Sequence, residues 1–358
     1  MRYIKPTDFK DVREFQQKYR QVENNITELI ATGGGASTAG ELQQLLSKSL
    51  SQAMQFLTKV NKGYTDKVLP TAFEEGGKLT ETPKMTKAEA SAILERQGFK
   101  YSKRAFSRNT YIELQTATQA AEKGLKSRVN KIVDRLRETG EDSLYNVQQT
   151  ILKDLQENGL LEVRYANGAR QRLDTYAAMA ARSARIETAN IGAIGRALQS
   201  GTDLVKMTTM PQCCKLCGAY QDKVYSISGK DKRFPALFKT VLRRGYALPH
   251  PNCRHEFIPY FIEIEDPADV ERMIKQSKIK YDSKGNLVDV RYQRDIELYQ
   301  AWQAGNRQRN DELLEFEQMR AYYESRNEEP PYKTIGAFRR ARRAQSESYK
   351  ENRQVWKK

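Results

Sequence analysis

All four cysteines and both histidines of this 358-residue chain lie between positions 213 and 255. They are Cys213, Cys214, Cys217, His250, Cys253 and His255. The N-terminal sequence MRYIKPTDFKDVREF lacks the apolar stretch of a signal peptide, which indicates a cytosolic origin. In a reducing compartment, clustered cysteines bind a metal more often than they form disulfides. The strongest constraint on the fold is therefore one candidate metal site.

The spacing of these residues is typical of structural zinc. Zinc in such a site takes four nitrogen or sulfur ligands in a tetrahedron, and two ligands separated by two residues bind it from one tight turn. Cys214 and Cys217 have this spacing, and His250 and Cys253 repeat it further along the chain. We expect two short knuckles that close one Cys3His site over the loop between them.

Two more side chains compete for the fourth ligand position. Cys213 is adjacent to Cys214, and His255 lies two residues beyond Cys253, so either can replace one of the four. The competing interpretation is a group of small buried side chains without a metal. The predicted ligands of a structural Zn²⁺ are four of the following five, with His255 as the alternate: Cys214, Cys217, His250, Cys253 and His255.

Catalysis by this site is not expected, because a catalytic zinc keeps one position open for water beside a general acid or base. Zinc deaminases need His-x-Glu and Pro-Cys-x-x-Cys, whereas here Glu256 follows His255 directly and Gln212 precedes the cysteines. A nuclease with a histidine base would have no ligand to spare. The GGGAS segment lacks the lysine of a Walker phosphate loop. We therefore predict that the protein is not an enzyme.

Apolar residues recur at helical spacing through most of the chain, which predicts a mainly α fold. Over residues 9–30 they fall every three or four positions, and the glycines at 33–35 would end that helix. Residues 37–38, Ser and Thr, are capping candidates for a second helix. We expect these helices to form a hairpin, followed by an irregular connector over about 63–84.

The middle of the chain combines a hairpin with a helix of small residues. Residues around Asn167 and Gly168 alternate in polarity, and that pair favours a tight type I′ turn between two strands. Asp174 can cap the following helix, whose many alanines and glycines allow close packing, and Gly201 ends it. A strand is predicted at 203–208, before the cysteines.

The last segment, 331–358, holds nine Lys or Arg against two Glu. A basic helical tail of this kind can lie on nucleic-acid phosphates. The predicted nucleic-acid contacts are Arg339, Arg340, Arg342 and Arg343. Four aromatic residues can stack on bases or, in the competing interpretation, dock on a neighbouring subunit. They are Tyr332, Phe338, Tyr349 and Trp356.

Composition limits the partners and the shape. A net charge of +16 favours an acidic partner, and nucleic acid is the commonest one for a cytosolic protein; a merely solvated basic surface is the alternative. The chain has no run of about 18 uncharged apolar residues, so we expect no membrane anchor. An apolar fraction of 39% beside a charged fraction of 30% suits long amphipathic helices, which predicts an elongated helical N-terminal region.

Two pieces of the cysteine segment, CKLCGAYQDKVYSISG and HPNCRHEFIPY, carry a family resemblance. With the helix and strand before them, they resemble the minor capsid proteins of tailed bacteriophages, especially phage minor capsid protein 2. The segment is also similar to Mu F-like head morphogenesis proteins. The resemblance makes Cys214 and Cys217 the family's Cys-x-x-Cys and residues 249–255 its His-Pro-x-Cys-Arg-His signature. Asp222 stands where the family commonly has a glycine, in the turn before KVYSISG.

The resemblance implies a structural role in the virion and no established catalytic activity. It implies a place at the portal vertex and in the head interior, after a stage in the host cytoplasm during assembly. The implied partners are the portal protein, other capsid proteins and packaged DNA, with multiple copies of the chain in each virion. The protein would act in head morphogenesis or be ejected with the DNA.

These observations predict three regions. A helical region covers 1–159, a small α+β zinc module with the hairpin and knuckles covers 160–262, and a helical extension with the basic tail covers 263–358. A different class of function fits the same residues. The alternative is a zinc-ribbon factor that binds or processes nucleic acid in the host cytoplasm.

Overall fold

The protein is described from a computed structural model. The described residues are 9–78, 82–98, 103–166, 168–211, 213–242, 249–251, 253–281, 283–284, 288–324, 326 and 328–356. Within them the chain is mainly helical, as the apolar periodicity predicts. None of the helices in this part of the chain is both long and apolar enough to cross a membrane.

Six α-helices form the described part of the N-terminal half, before the β-hairpin. They are α1 (Lys10–Thr32), α2 (Ala39–Gly63), α3 (Leu69–Gly76), α4 (Lys87–Arg96), α5 (Lys103–Glu138) and α6 (Leu144–Asn158). The predicted hairpin of α1 and α2 is confirmed, and the periodic apolar residues of both helices are buried in one core. Gly33 ends α1 with a φ of +73°, and the Thr38 hydroxyl accepts the Glu41 N–H to cap α2. Left-handed backbone is easiest for glycine, which explains the position of that stop.

The irregular connector expected over 63–84 is wrong in its first part. A π-helical turn, Tyr64–Val68, continues α2 directly into α3. Helix α3 lies so close to α7 (Leu173–Gln199) that a Cβ on Gly76 would collide with the Ala189 carbonyl oxygen. The glycine that looks like a helix breaker in the sequence is therefore a packing residue. The small residues of α7 do allow the predicted close approach.

The predicted β-hairpin is confirmed, but its turn is longer than expected. Strands β1 (Glu162–Arg164) and β2 (Arg170–Arg172) pair antiparallel before α7. The Tyr165 N–H donates to Ala169 O, and the Gly168 N–H donates to Tyr165 O. These bonds enclose a three-residue loop in which Gly168 takes a φ of +80°, rather than a two-residue type I′ turn. Asn167 itself lies outside the described residues.

A small antiparallel sheet follows α7 and carries the cysteine segment. Its strand order is β4 (Val224–Ser226), β3 (Leu204–Met207), β5 (Phe257–Pro259), so the predicted strand is the central one. The short helix α8 (Lys215–Tyr220) lies in the connection from β3 to β4. Helix α9 (Pro267–Ser277) packs on β4, and Met273 shares a buried cluster with Leu204 and Val224.

The chain divides into two compact units, Met1–Asp295 and Ile296–Lys358. The second contains most of α10 (Gln293–Glu324), α11 (Ile335–Ala344) and α12 (Glu347–Trp356). Its core consists of Phe316, Met319, Tyr323, Phe338, Tyr349 and Trp356. Three aromatics expected to stack on bases or dock on a neighbour, Phe338, Tyr349 and Trp356, are thus buried within their own unit. The division into 1–159, 160–262 and 263–358 stays a prediction.

Candidate metal centre

Both predicted knuckles are tight turns. Cys214 is the N-cap of α8, and its Sγ accepts the Cys217 N–H at 3.4 Å. In the second turn the Cys253 N–H donates to the carbonyl oxygen of His250 at 3.2 Å. In each turn a hydrogen bond from the backbone N–H of the second ligand to the first ligand residue, to its sulfur in one turn and to its carbonyl oxygen in the other, brings the two residues together. The first knuckle lies between β3 and β4, and the second lies between β4 and β5.

The two turns bring four ligand atoms together. His250 Nε2 lies 3.2 Å from Cys214 Sγ and 3.1 Å from Cys217 Sγ. Cys217 Sγ lies 3.7 Å from Cys253 Sγ. A zinc–sulfur bond of about 2.3 Å places two sulfurs about 3.8 Å apart in a tetrahedron, and a sulfur and a nitrogen about 3.5 Å apart. The sulfur pair matches that edge, and the two contacts of His250 are a few tenths of an ångström shorter.

The ring of His250 is held in the tautomer that a metal ligand needs. Its Nδ1 lies 2.7 Å from the carbonyl oxygen of Pro251, which can only accept a hydrogen bond. Nδ1 therefore carries a proton, and Nε2 faces the sulfurs, where it would offer its lone pair to a metal in place of a second proton. Metal-binding histidines are commonly oriented by such a bond to a carbonyl group.

The pKa values of the clustered thiols and of His250 depend on the hydrogen bonds between these side chains. A hydrogen bond from Cys217 lowers the pKa of Cys214 to about 4, and the same contact raises the pKa of Cys217. The hydrogen bond with Cys217 also lowers the pKa of Cys253. Burial alone would lower the pKa of His250, but hydrogen bonds to Cys214 and Cys253 raise it to about 10. The thiolate, which is the form that binds metal, is thus favoured at Cys214 and Cys253.

His255 and Cys213, the two competing residues, occupy different places. Two triplets have all their ligand atoms within 4.8 Å of one another: Cys214, Cys217 and His250, and Cys217, Cys253 and His255. His255 Nδ1 lies 3.4 Å from Cys253 Sγ. Cys213 belongs to neither triplet, because its buried Sγ accepts the Gln221 side-chain amide at 3.2 Å. Burial raises the pKa of Cys213 to about 12.

The second knuckle is tied to α7 by one buried side chain. The amide of Asn190 donates to the His255 carbonyl oxygen at 3.1 Å, and its Oδ1 accepts the Phe257 N–H at 3.1 Å. A single asparagine thus satisfies both backbone groups where the chain enters β5. The sequence contains no signal that separates this residue from other polar residues in a small-residue helix.

Asp222 adopts the backbone conformation that suits a glycine. Its φ is +57°, and its carboxylate contacts Lys206 at 2.9 Å and the Tyr292 hydroxyl at 3.0 Å. Aspartate tolerates left-handed backbone better than most residues. Aspartate is therefore compatible with this turn, and its carboxylate gains partners from the segment that follows α9.

Next to Asp222, a buried ion pair fastens the residues after α9 to β4. Lys223 is 2% exposed, and its Nζ contacts Asp289 Oδ2 at 2.9 Å and Gln276 O at 2.9 Å. Burial alone would raise the pKa of Asp289, but hydrogen bonds from Arg291 and Lys223 lower it to about 2. The positive charge of Lys223 is therefore balanced by the carboxylate of Asp289.

The predicted nucleic-acid contacts lie in the second unit, where most of them pair with carboxylates. Glu312, which is 0% exposed, contacts Arg343 at 2.8 Å and Arg339 at 3.1 Å. Glu315 contacts Arg342 at 2.7 Å and Arg353 at 2.8 Å. Both glutamates belong to α10. The pKa of Glu312 is lowered, chiefly by the hydrogen bonds from Arg343.

Arg340 and Arg343 are the exposed members of the predicted set, and Arg343 is the one of these two that pairs with Glu312. A phosphate that binds Arg339, Arg342 or Arg343 has to compete with a carboxylate already in place. The sequence pattern of the tail alone does not contain this information, because the two glutamates lie in the preceding helix. The four arginines remain predicted contacts.

Residues 16–312 match the family described as phage minor capsid protein 2. The chain belongs to this family of phage minor capsid proteins. The match includes both knuckles and all three strands of the small sheet, while residues 313–358 lie beyond it. Neither a curated protein nor a solved structure matches the chain. Membership of a phage minor capsid family makes this a phage structural protein.

Proposed function

We propose that the protein is a structural minor capsid protein in which one Zn²⁺ fixes the cysteine segment. The observation that supports this most strongly is the close approach of Cys214, Cys217, His250 and Cys253, whose three contacts of 3.1, 3.2 and 3.7 Å lie near the edge lengths of a zinc-sized tetrahedron. Thiolate and imidazole ligands suit zinc, whereas magnesium and calcium need oxygen ligands.

The proposed zinc has a structural task. Strands β3, β4 and β5 are only three or four residues long, at the short end of the usual strand length, so the sheet has few backbone pairs of its own. Structural zinc supplies folding free energy directly, roughly 10–16 kcal/mol in zinc-finger peptides. Four protein ligands also fill the tetrahedron and leave no position for a catalytic water. The capsid family and the filled site both support a non-enzymatic role.

We also propose that the metal module, by which we mean residues 201–262, contacts packaged DNA inside the head. Residues 213–255 hold nine Lys or Arg and two Asp, the same balance as the tail. Lys215, Lys230 and Lys239 are exposed, and in the described part of the chain no ion pair involves them. Unlike most of the tail arginines, these lysines have no carboxylate to displace. Contacts with phosphate would therefore be made first by the module.

A salt titration of DNA binding tests this assignment. In the variant Lys215→Gln/Lys230→Gln/Lys239→Gln, the slope of log affinity against log salt should fall by about 2 to 3, since each phosphate contact contributes about 0.9. The matched control, Lys48→Gln/Lys59→Gln/Lys131→Gln, removes the same charge from exposed positions on α2 and α5 and should leave the slope nearly unchanged. Equal losses in both variants would show that only net charge matters.

Association with the portal vertex is the last part of the proposal, and it follows from the family resemblance. A cryo-EM map of intact heads should place the chain beside the portal, with the metal module toward the DNA. The competing function is a zinc-ribbon nucleic-acid factor, which the small antiparallel sheet with its two knuckles also suits. Such a factor would bind or cut nucleic acid in the cytoplasm and would be missing from purified heads.

A further inference from the structure

Gln221 contacts both Cys213 and His255, the two residues that the spacing of the sequence leaves as possible alternative ligands. Its side chain is fully buried. Its Oε1 lies 2.8 Å from His255 Nε2 and accepts the Met210 N–H at 3.0 Å, while its Nε2 donates to Cys213 Sγ at 3.2 Å. One amide thus contacts the alternate histidine and the extra cysteine.

These contacts determine the tautomer of His255. The backbone N–H of Met210 can only donate, so the group of Gln221 that faces it must be the oxygen. The same oxygen faces His255 Nε2, which must therefore carry a proton. The other ring nitrogen, Nδ1, faces Cys253 Sγ at 3.4 Å and belongs to the triplet with Cys217 and Cys253.

The two histidines are therefore built alike. In each, one ring nitrogen is bound to a carbonyl oxygen, that of Pro251 for His250 and that of Gln221 for His255. In each, the other nitrogen faces the cysteine sulfurs. They differ in burial, because His255 is 4% exposed whereas His250 is half-buried.

We propose that His255, oriented by Gln221, is a second nitrogen ligand that completes the Cys3His set when His250 is absent. Gln221 is the positioning residue, since it acts on the metal through His255 and keeps Cys213 outside the set. The inference rests on the proposed zinc centre and goes beyond it, because it assigns a spare ligand and the residue that holds it. Partners of this kind commonly change metal affinity 10–100-fold when they are removed.

Zinc competition against a chelator, on the full chain, tests the proposal. His250→Ala should keep about one zinc with a reduced affinity, because His255 replaces the lost ligand. The pair His250→Ala/Gln221→Leu should lose a further 10–100-fold, and His250→Ala/His255→Ala should lose the metal. Gln199→Leu removes another buried glutamine, bound to Gly195 O on α7, and should have no effect when added to His250→Ala.

A second readout separates positioning from a merely structural role. The chain has only two histidines, so nitrogen NMR of the zinc-loaded protein can resolve both rings. We expect both rings as single tautomers, His250 protonated at Nδ1 and His255 at Nε2, and we expect Gln221→Leu to disturb only His255. Complete loss of zinc in His250→Ala, with the wild type loaded, would overturn the spare ligand but not the zinc centre. Equal affinities of His250→Ala and His250→Ala/Gln221→Leu would overturn the role of Gln221. A wild-type chain without bound metal would overturn both proposals.

Discussion

The metal module contains clustered cysteines and histidines, and the C-terminal unit contains clustered arginines. The two clusters differ in the groups that face them. In the module, cysteine sulfurs face imidazole nitrogens, and the outer nitrogens of both rings are bound to carbonyl oxygens. In the C-terminal unit, the arginines face Glu312 and Glu315 of α10. The first cluster has the ligands of the proposed zinc ion, whereas the second is balanced within its own unit. A cluster of similar side chains in the sequence therefore indicates a bound ligand only if the folded chain does not itself place oppositely charged groups against that cluster.

The largest loss of stability is expected when Cys217, the cysteine that belongs to both triplets, is replaced. Cys217→Ser should destabilise the metal module by more than about 5 kcal/mol, because structural zinc contributes most of the folding free energy of such modules. Limited proteolysis should then cut within 201–262 while α1 and α2 stay protected. Cys213→Ser is the matched control and should leave the protection pattern unchanged.

The buried ion pair next to the centre should give the second largest effect. Asp289→Asn leaves the Lys223 ammonium without a counter-charge and should cost about 3–5 kcal/mol in denaturant unfolding. Adding Lys223→Met should recover much of that loss, because an apolar side chain needs no partner. If the single and double variants are equally unstable, the charge of Lys223 is not the cause.

The same pair predicts a pH dependence. The pKa of Asp289 is lowered to about 2, so the stability it contributes is present above its unfolded pKa of about 4 and is lost as the pH falls through about 2. The free energy gap between wild type and Asp289→Asn should therefore narrow between pH 4 and pH 2. A gap that stays constant over this range would contradict the ionised pair.

In the C-terminal unit the expected effect is smaller, because solvent reaches the arginines. Glu312→Gln should cost about 1–3 kcal/mol, since Arg343 and Arg339 lose a charged acceptor but stay partly hydrated. Hydrogen exchange should report faster opening of α11 and α12. Glu329→Gln, which breaks the exposed pair with Lys333, should change stability by less than about 0.5 kcal/mol.

The smallest effect concerns the turn at Asp222. Asp222→Gly relaxes a backbone with a φ of +57° but loses the contacts with Lys206 and Tyr292, so the net change should stay within about 1 kcal/mol. Asp222→Ala loses the contacts and keeps the strain, and it should be less stable than the glycine variant by about 1 kcal/mol. Equal stabilities would mean that the backbone conformation is not what selects a glycine in the family.

The parts of the fold that the sequence predicts are those governed by local rules. The apolar periodicity of α1 and α2 depends only on neighbouring turns, and the knuckle spacing depends only on tight-turn geometry. The helix α3 was missed because Gly76 serves a partner more than 100 residues away in α7, next to Ala189. Gln221 and Asn190 were missed for the same reason, since an amide has no preferred motif. The tail arginines show the converse case, because their counter-charges lie in another helix, and their contacts with nucleic acid stay a prediction.

Metal analysis of the purified full chain is the sharpest test of whether one zinc ion completes the cysteine segment. Native mass spectrometry beside elemental analysis should find one zinc per chain, absent in Cys217→Ser and retained in Cys213→Ser. A wild-type chain that folds with a protected 201–262 segment and contains no zinc would contradict the account.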